Sequence, residues 1–281
     1  MRIAFSTLGC PEASLEQVIA LASEHCIDGV EVRIHDGGIV SGTMDRSARE
    51  QVRAAISRAG LAVLSLGSYI KVCHPGPDEL VVRQLRSALE LAADVGAEAV
   101  RVFPGAGMDP TTDFYGEAVT ELELRGASRL AAAAPLAEQL GLKLLLETHD
   151  SHPRGVDIAR ILSPFGAGAP TGAIWDVMHP WRFGEDPADT LHSLGGQFEY
   201  VQFKDATMDR QTGELTMTLP GAGDIPLRRI LELIIAQTPT GAGTWISLEW
   251  EKAWHPELPG LSEALVALRA VLGRSESNPS L

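Results

Sequence analysis

The sequence is short of positive charge. Lysine and arginine together number 23 against 37 aspartate and glutamate residues, and the formal net charge at pH 7 is −14. Because the phosphate backbone of nucleic acids attracts basic surfaces, this balance argues against a nucleic-acid partner. It does not exclude a small anionic substrate, since a few local cations can outweigh the net field of the chain.

Cysteine is also scarce, and its pattern does not indicate metal binding. Cys10, Cys26 and Cys73 are odd in number and share no spacing typical of a metal site. We therefore expect reduced thiols and a cytoplasmic protein.

Long apolar runs and a glycine-rich loop are missing as well. No apolar run is long enough to cross a membrane, and the strand-like start at Met1 lacks the hydrophobic region of a signal peptide. We therefore expect neither a membrane partner nor a leader. The segment Leu8-Gly9-Cys10-Pro11, after the first predicted strand, is not a glycine-rich phosphate loop. This disfavours an open, doubly wound sheet that binds a dinucleotide.

What the sequence does contain is a regular alternation of strand-like and helix-like segments. The pattern predicts eight strands and eight helices with short connections. An α/β fold is therefore expected, and a single (β/α)8 TIM barrel over residues 1–274 fits better than an open sheet. A polar tail at 275–281 is expected to fray. Pro135 predicts a kink or a break in a long helix over 114–140, and 207–223 is the longest stretch without a predicted element.

The last four predicted strands each deliver a polar side chain at or near their C-terminal ends. These strands span 142–147, 172–177, 200–204 and 244–249, and they supply in turn Glu147, Asp176, Gln202 and Glu249. In a TIM barrel these strand ends meet at the face that carries the active site. Three carboxylates that converge there would raise one another's pKa values unless a cation balanced them. We therefore predict one divalent metal ion bound by these four residues, with Mn²⁺ or Mg²⁺ favoured over Co²⁺ or Zn²⁺ because the donors are oxygens. Ordinary surface carboxylates are the alternative.

Other side chains beside these strand ends predict contact with a small molecule. Lys204 can supply a cation to an enolate or phosphate oxygen, or it can pair with Asp205. His149 follows Glu147 by two residues and lies either against the substrate or behind the metal ligands. Four tryptophans lie near these strand ends, and their rings predict stacking on a sugar, with packing at the rim of the barrel as the alternative; they are Trp175, Trp181, Trp250 and Trp254.

Four motifs carry a resemblance to a known family. They are LLLETHD around Glu147, WDVMHP around Asp176, YVQFKDA around Gln202 and SLEWEKAWHPEL around Glu249. Over essentially its whole length, the chain resembles the sugar phosphate isomerase/epimerase-like proteins of the xylose isomerase-like TIM-barrel superfamily. The resemblance implies a metal held by Glu, Asp, His and Glu from the last four strands. Gln202 departs from this pattern, and an amide binds metal more weakly than an imidazole and without its preference for zinc.

The resemblance also implies a reaction. It implies a metal-dependent isomerase or epimerase that acts on a sugar or sugar phosphate by removing a proton next to a carbonyl. Glu147 and Glu249 would serve as acid or base as well as ligands, and His179 would contact the substrate. A dehydratase acting on an inositol-derived or sugar ketone shares the first step and stays open as an alternative. A catalytically weak sugar-binding barrel also stays open, because Gln202 stands where a histidine is usual.

The same superfamily contains apurinic endonucleases, which hold three zinc ions with many histidines. Here the third predicted strand ends in SLGS at 65–68 and the fourth in Phe103-Pro104, so neither supplies a histidine ligand. Together with the net charge of −14, this disfavours DNA as a substrate. The expected partner is a small sugar or sugar phosphate, and the resemblance leaves a homo-oligomer open.

Overall fold

Eight parallel strands close into one barrel. The computed structural model describes residues 1–106, 117–166, 168–237 and 243–273. The barrel strands are β1 (Arg2–Ser6), β2 (Gly29–Arg33), β3 (Ala62–Lys71), β4 (Ala99–Phe103), β5 (Lys143–Glu147), β6 (Thr171–Asp176), β7 (Phe198–Phe203) and β10 (Trp245–Leu248). Their order is β1-β10-β7-β6-β5-β4-β3-β2, and β1 pairs with β2 to close the ring. The prediction of a single TIM barrel is thus confirmed, and an open sheet is excluded because this sheet closes on itself.

The helices lie between the strands in sequence, and capping residues mark where some of them begin or end. They are α1 (Leu15–Glu24), α2 (Arg46–Arg58), α3 (Asp78–Val95), α4 (Glu117–Leu140), α5 (Gly155–Leu162), α6 (Met178–Arg182), α7 (Pro187–Leu194), α8 (Leu227–Gln237) and α9 (Leu261–Gly273). Ser14 begins α1 with a capping box, in which Ser14 and Gln17 each accept a bond from the other's backbone N–H. Gly96 follows α3 with φ of 79°, a conformation that favours glycine. None of the described helices combines the length and the hydropathy needed to cross a bilayer.

Three local features differ from the sequence-based expectations. Helix α4 continues through Pro135 as one helix, so the predicted break does not occur there. The stretch 207–223 is not without structure, because β8 (Asp205–Met208) and β9 (Leu215–Thr218) form an antiparallel hairpin. The short helix α6 was not predicted, since five residues are too few to show a helical period. The predicted helix start at 114 and the tail at 275–281 lie outside the described residues.

The alternation of side chains along each strand decides which residues face the inside of the barrel. On β5, Leu145 belongs to a small cluster inside the barrel, whereas Leu144 and Leu146 pack between the strands and the helices. Because successive side chains point to opposite faces, Glu147 lies on the inner side, two residues beyond Leu145. The inner cluster consists of Ala4, Leu64, Ala99, Leu145, Ile174, Tyr200 and Trp245. These side chains fill the barrel towards the N-terminal ends of its strands, and polar residues lie above them at the C-terminal face.

Candidate active site

Three carboxylates meet inside the C-terminal mouth of the barrel, and we call them the carboxylate cluster. Glu147 ends β5, Asp176 ends β6 and Glu249 directly follows β10. Each offers a carboxylate oxygen within 4.8 Å of the other two. All three are buried, and Glu249 is the most accessible of them at 5%. The structure therefore brings together the three acids that were predicted to bind a metal ion.

Lys204 reaches into the carboxylate cluster from the end of β7. Its Nζ lies 2.6 Å from Asp176 Oδ2 and 2.6 Å from Glu249 Oε2. Glu251, two residues beyond Glu249, places its Oε1 2.5 Å from the same nitrogen. Burial by itself would lower the pKa of Lys204, but these three carboxylates raise it well above its usual value. Lys204 is therefore a buried cation in direct contact with two of the predicted metal ligands.

Asp205 does not pair with Lys204, so that alternative is corrected. Adjacent residues on an extended chain point to opposite sides, and Asp205 faces away from the carboxylate cluster. Its carboxylate accepts hydrogen bonds from the backbone N–H groups of Gly221 at 2.7 Å and Ile225 at 3.2 Å. Asp205 thus holds the base of the β8–β9 hairpin.

Arg101 supplies a second buried cation, which sequence reasoning missed. It lies on β4, and its Nη1 donates to Glu147 Oε2 at 2.9 Å. Burial raises the pKa of Glu147 well above its usual value, and the guanidinium opposes this rise. A signal was present in the sequence: one charged residue interrupts the apolar strand AVRVF, and a buried charge needs a partner.

Glu31 on β2 was also missed, and it orients Gln202. Its Oε2 accepts hydrogen bonds from Tyr200 Oη at 2.7 Å and from Gln202 Nε2 at 2.9 Å. Gln202 Oε1 is then buried and, in the part of the chain that the structure describes, has no hydrogen-bond partner. An unpaired buried acceptor is costly, so this oxygen is available to bind a cation.

The donors around the carboxylate cluster fit a hard divalent cation. Like Gln202 Oε1, Glu147 Oε1 is buried without a hydrogen-bond partner among the described residues. The three acids make an all-oxygen set of the kind that Mg²⁺ and Mn²⁺ prefer, and Gln202 contacts one of them through its amide nitrogen, with Nε2 3.4 Å from Glu249 Oε1. Lys204 is the competing cation, since it already contacts one oxygen each of Asp176 and Glu249.

Two histidines stand side by side at one edge of the carboxylate cluster. The ring centroids of His149 and His179 are 4.4 Å apart. His179 lies on α6, and its Nε2 is 3.7 Å from Asp176 Oδ2. With Glu147, the two histidines form a second group whose ligand atoms lie within 4.8 Å of one another. Burial, together with the neighbouring His149 and Lys204, lowers the pKa of His179 well below its usual value, so its imidazole is neutral near pH 7.

Trp175 does not reach the site, and the expectation of sugar stacking there is corrected. Its side chain packs edge-on against Phe198, with ring centroids 6.4 Å apart, in the layer between strands and helices. Because Asp176 points into the barrel, its neighbour Trp175 points out of it. Trp175 is 1% exposed, and a substrate at the carboxylate cluster has no access to its ring.

A pocket opens above the carboxylate cluster, and we call it the mouth pocket. Its lining comprises Ser6, Leu8, Arg33, Tyr69, Arg101, Phe103, His149, Lys204, Glu249, Glu251 and Trp254. Trp254 is 56% exposed and supplies the aromatic surface that Trp175 does not. Arg33 and Tyr69, from the ends of the second and third barrel strands, were not identified from the sequence. The pocket thus combines aromatic rings, cations and acids around one opening.

A closed parallel barrel with buried acids at its C-terminal strand ends is a TIM barrel with its candidate active site on the usual face. The sequence profile of the xylose isomerase-like TIM barrel family matches residues 19–271, and the chain belongs to that family. No curated protein sequence gives a significant match.

Solved structures of low sequence identity share the fold over essentially the whole chain. The probable 3-DHS dehydratase AsbF of Bacillus anthracis is 18% identical with a TM-score of 0.75, and 100% of each chain is covered. The IOLI protein with a bound zinc atom is 17% identical with a TM-score of 0.76, again with 100% of each chain covered. The 3-keto-D-glucoside 4-epimerase YcjR of E. coli is 17% identical with a TM-score of 0.71, covering 97% of this chain and 99% of its own.

Proposed function

We propose that this protein is a metal-dependent isomerase or epimerase that acts on a sugar or sugar phosphate by proton abstraction next to a carbonyl. The observation that carries the proposal is the carboxylate cluster, in which three buried acids and two cations meet beneath the mouth pocket. Structures described as a 3-keto-D-glucoside 4-epimerase and a D-psicose 3-epimerase share this fold and support the reaction class. Free thiols at Cys10, Cys26 and Cys73 support a cytoplasmic location.

The metal would be held by Glu147, Asp176 and Glu249, with Gln202 Oε1 as the fourth and weakest donor. The unpaired buried oxygens of Glu147 and Gln202 support this assignment. When bound, a divalent ion would polarise a substrate carbonyl and acidify the adjacent C–H bond. The oxygen donors favour Mn²⁺ or Mg²⁺, and the structure with zinc bound on the same fold keeps Zn²⁺ among the candidates with Co²⁺.

The side chains around the metal position suit a proton transfer. Glu249 and Glu147 approach from β10 and β5, so they can act on opposite sides of a bound substrate as base and acid. Lys204 donates hydrogen bonds and would stabilise negative charge that develops on a substrate oxygen. His179, as a neutral imidazole, can donate a hydrogen bond to a substrate hydroxyl. His149 packs against His179 and limits where that hydroxyl can lie.

A dehydratase is the second candidate, and Lys204 is the observation that favours it. Expulsion of hydroxide after proton abstraction needs an acid beside the leaving oxygen. Because three carboxylates raise the pKa of Lys204, it stays protonated and would stabilise the departing oxygen with a charge-assisted hydrogen bond. The fold is shared with a probable 3-DHS dehydratase.

Solvent exchange distinguishes these functions in one experiment. The purified protein, loaded with Mn²⁺, is incubated in D₂O with a panel of ketoses, aldoses, their phosphates and cyclic polyol ketones, and the products are followed by NMR. An isomerase or epimerase introduces deuterium next to the carbonyl and returns a stereoisomer or an aldose–ketose pair. A dehydratase releases water and leaves an unsaturated ketone. If a member of the panel binds but no member undergoes deuterium exchange, the result would instead indicate a sugar-binding barrel.

Metal binding is measured separately by calorimetry. We expect one divalent ion per chain, because the cluster offers one set of converging oxygens. A well-purified sample that binds none of Mn²⁺, Mg²⁺, Co²⁺ and Zn²⁺ would overturn the metal-dependent mechanism, whatever the outcome of the exchange experiment.

Gln202→His is expected to change the metal preference. An imidazole is a softer donor than an amide oxygen, so the variant should bind Zn²⁺ and Co²⁺ more tightly by about tenfold relative to Mg²⁺. A histidine at this position can also keep Glu31 as a hydrogen-bond acceptor through its other ring nitrogen. Calorimetric titration of the wild type and the variant with each ion measures the effect. Equal changes for all the ions would show that residue 202 does not bind the metal.

A further inference from the structure

Arg33 places a guanidinium at the edge of the mouth pocket. It is the last residue of β2, and its backbone N–H donates to Thr7 Oγ1 at 3.0 Å. Its Nε donates to Tyr69 Oη at 2.8 Å. The guanidinium carbon lies 5.0 Å from the ring centroid of Trp254 and 5.8 Å from that of Tyr69. Two aromatic side chains therefore hold this cation in position without neutralising it.

The other two cations of the mouth pocket are already neutralised. Arg101 pairs with Glu147, and Lys204 contacts Asp176, Glu249 and Glu251. Arg33 differs from both, because no carboxylate within the described ranges lies at ion-pair distance from it. In a chain of net charge −14, a cation without a counter-ion beside a substrate pocket is informative.

The hydrogen bonds of Arg33 also leave its outer nitrogens unused. The bond to Tyr69 occupies Nε, and no described residue accepts from either Nη atom. The paired N–H groups of a guanidinium match the two oxygens of a carboxylate or a phosphate. Arg33 is thus oriented and partly desolvated by its aromatic neighbours, and its free donors suit an anion.

We propose that Arg33 binds an anionic group of the substrate, so that the substrate is a sugar derivative carrying a carboxylate or a phosphate. This rests on the proposed function, since the opposite end of the same molecule would lie at the carboxylate cluster. Both ends belong to one pocket, which Arg33 and Glu249 line together. The cluster acts on the carbonyl region, and Arg33 selects substrates by their charge.

The test compares ligands that differ only in the anionic group. D-Fructose, D-fructose 6-phosphate and a keto-aldonic acid of the same length are titrated by calorimetry into the metal-loaded wild-type protein. At least one of the two anionic ligands should bind at least about tenfold more tightly than the neutral sugar. Whichever anionic ligand shows this gain identifies the preferred group as phosphate or carboxylate. The preference should weaken as salt is added, because it is electrostatic.

Variants assign the preference to Arg33. Arg33→Gln should bring the affinity for the anionic ligand to within about threefold of the affinity for the neutral one. Arg33→Lys should keep part of the preference, since lysine keeps the charge but lacks the paired N–H donors of a guanidinium. Arg46→Gln is the matched control, because Arg46 is an exposed arginine paired with Glu50 on α2. If Arg33→Gln does not fold, the partial loss in Arg33→Lys still measures the effect.

The outcomes separate this inference from the proposed function. A wild type that binds none of the anionic ligands more tightly than the neutral sugar overturns the role of Arg33. The same conclusion follows if the preference survives in Arg33→Gln or Arg33→Lys unchanged. If the anion preference depends on Arg33 but no substrate undergoes deuterium exchange, the anion site stands. The isomerase or epimerase assignment is then overturned.

Discussion

Glu249→Gln is expected to lower the exchange of the substrate C–H with solvent by about 10²–10⁴-fold, the usual contribution of a general base. Glutamine has nearly the same shape and keeps one oxygen donor for a metal, but it cannot accept a proton. In the free protein burial would raise the pKa of Glu249, yet Lys204 and Arg101 outweigh burial and bring the pKa to about 2. The carboxylate is therefore ionised near neutral pH, as a base has to be.

The measurement is deuterium incorporation by NMR, with metal binding followed in parallel. Metal affinity in Glu249→Gln should fall only in part, which separates loss of the base from loss of the site. Glu214→Gln serves as the control, because Glu214 is an exposed acid between the strands of the β8–β9 hairpin. Wild-type exchange in Glu249→Gln would assign the base to Glu147 or to another group.

Lys204→Met is expected to tighten metal binding by roughly tenfold to a hundredfold, which corresponds to about 1.4–2.8 kcal/mol. The ammonium contacts one oxygen each of Asp176 and Glu249, so a metal that uses these ligands has to displace it. Methionine fills similar space without a charge. Exchange activity should nevertheless be lost, because the variant lacks the donor for the substrate oxygen.

The same substitution should destabilise the metal-free protein. Removal of one partner from a buried ion pair leaves an uncompensated charge and costs about 3–5 kcal/mol. Saturating metal should restore much of this stability, because it binds the folded state and replaces the lost cation. Thermal unfolding with and without Mn²⁺ measures the effect.

Glu251→Gln is expected to change metal affinity in the opposite direction from Lys204→Met. Glu251 competes with Asp176 and Glu249 for the Lys204 ammonium, because its Oε1 lies 2.5 Å from Nζ and their oxygens lie 2.6 Å from it. Without this charge the lysine should hold Asp176 and Glu249 more firmly, so metal affinity should fall. Unchanged metal affinity in both Lys204→Met and Glu251→Gln would show that Lys204 does not compete with the metal.

The barrel and three of the site acids could be predicted because the relevant signals are local. Apolar runs followed by amphipathic stretches reveal strands and helices, and the end of a strand marks the catalytic face of a TIM barrel. Glu147, Asp176 and Glu249 stand at such ends, and the structure brings their oxygens within 4.8 Å of one another. The direction of Trp175 was also available, since it alternates with Asp176 along β6.

The partners of the buried charges could not be predicted in the same way. Arg101 and Glu147 are 46 positions apart, and Glu31 and Gln202 are 171 apart, so no periodicity connects them. Lys204 has Asp205 beside it in sequence, but its contacts are with Asp176, Glu249 and Glu251. Only the closed ring of strands brings these residues together.

The sequence by itself determined the order of strands and helices, the inward position of the strand-end acids and the membership in the xylose isomerase-like TIM barrel family, because these depend on local pattern and motif. The tertiary structure alone decided which of the described charges at the mouth pocket neutralise one another and which cation there has no carboxylate partner. Closure of the barrel pairs Arg101 with Glu147 and places Lys204 among three acids, whereas the guanidinium of Arg33 lies beside Trp254 and donates to Tyr69 Oη. The charge available to a substrate is what remains after all of these long-range pairs have formed.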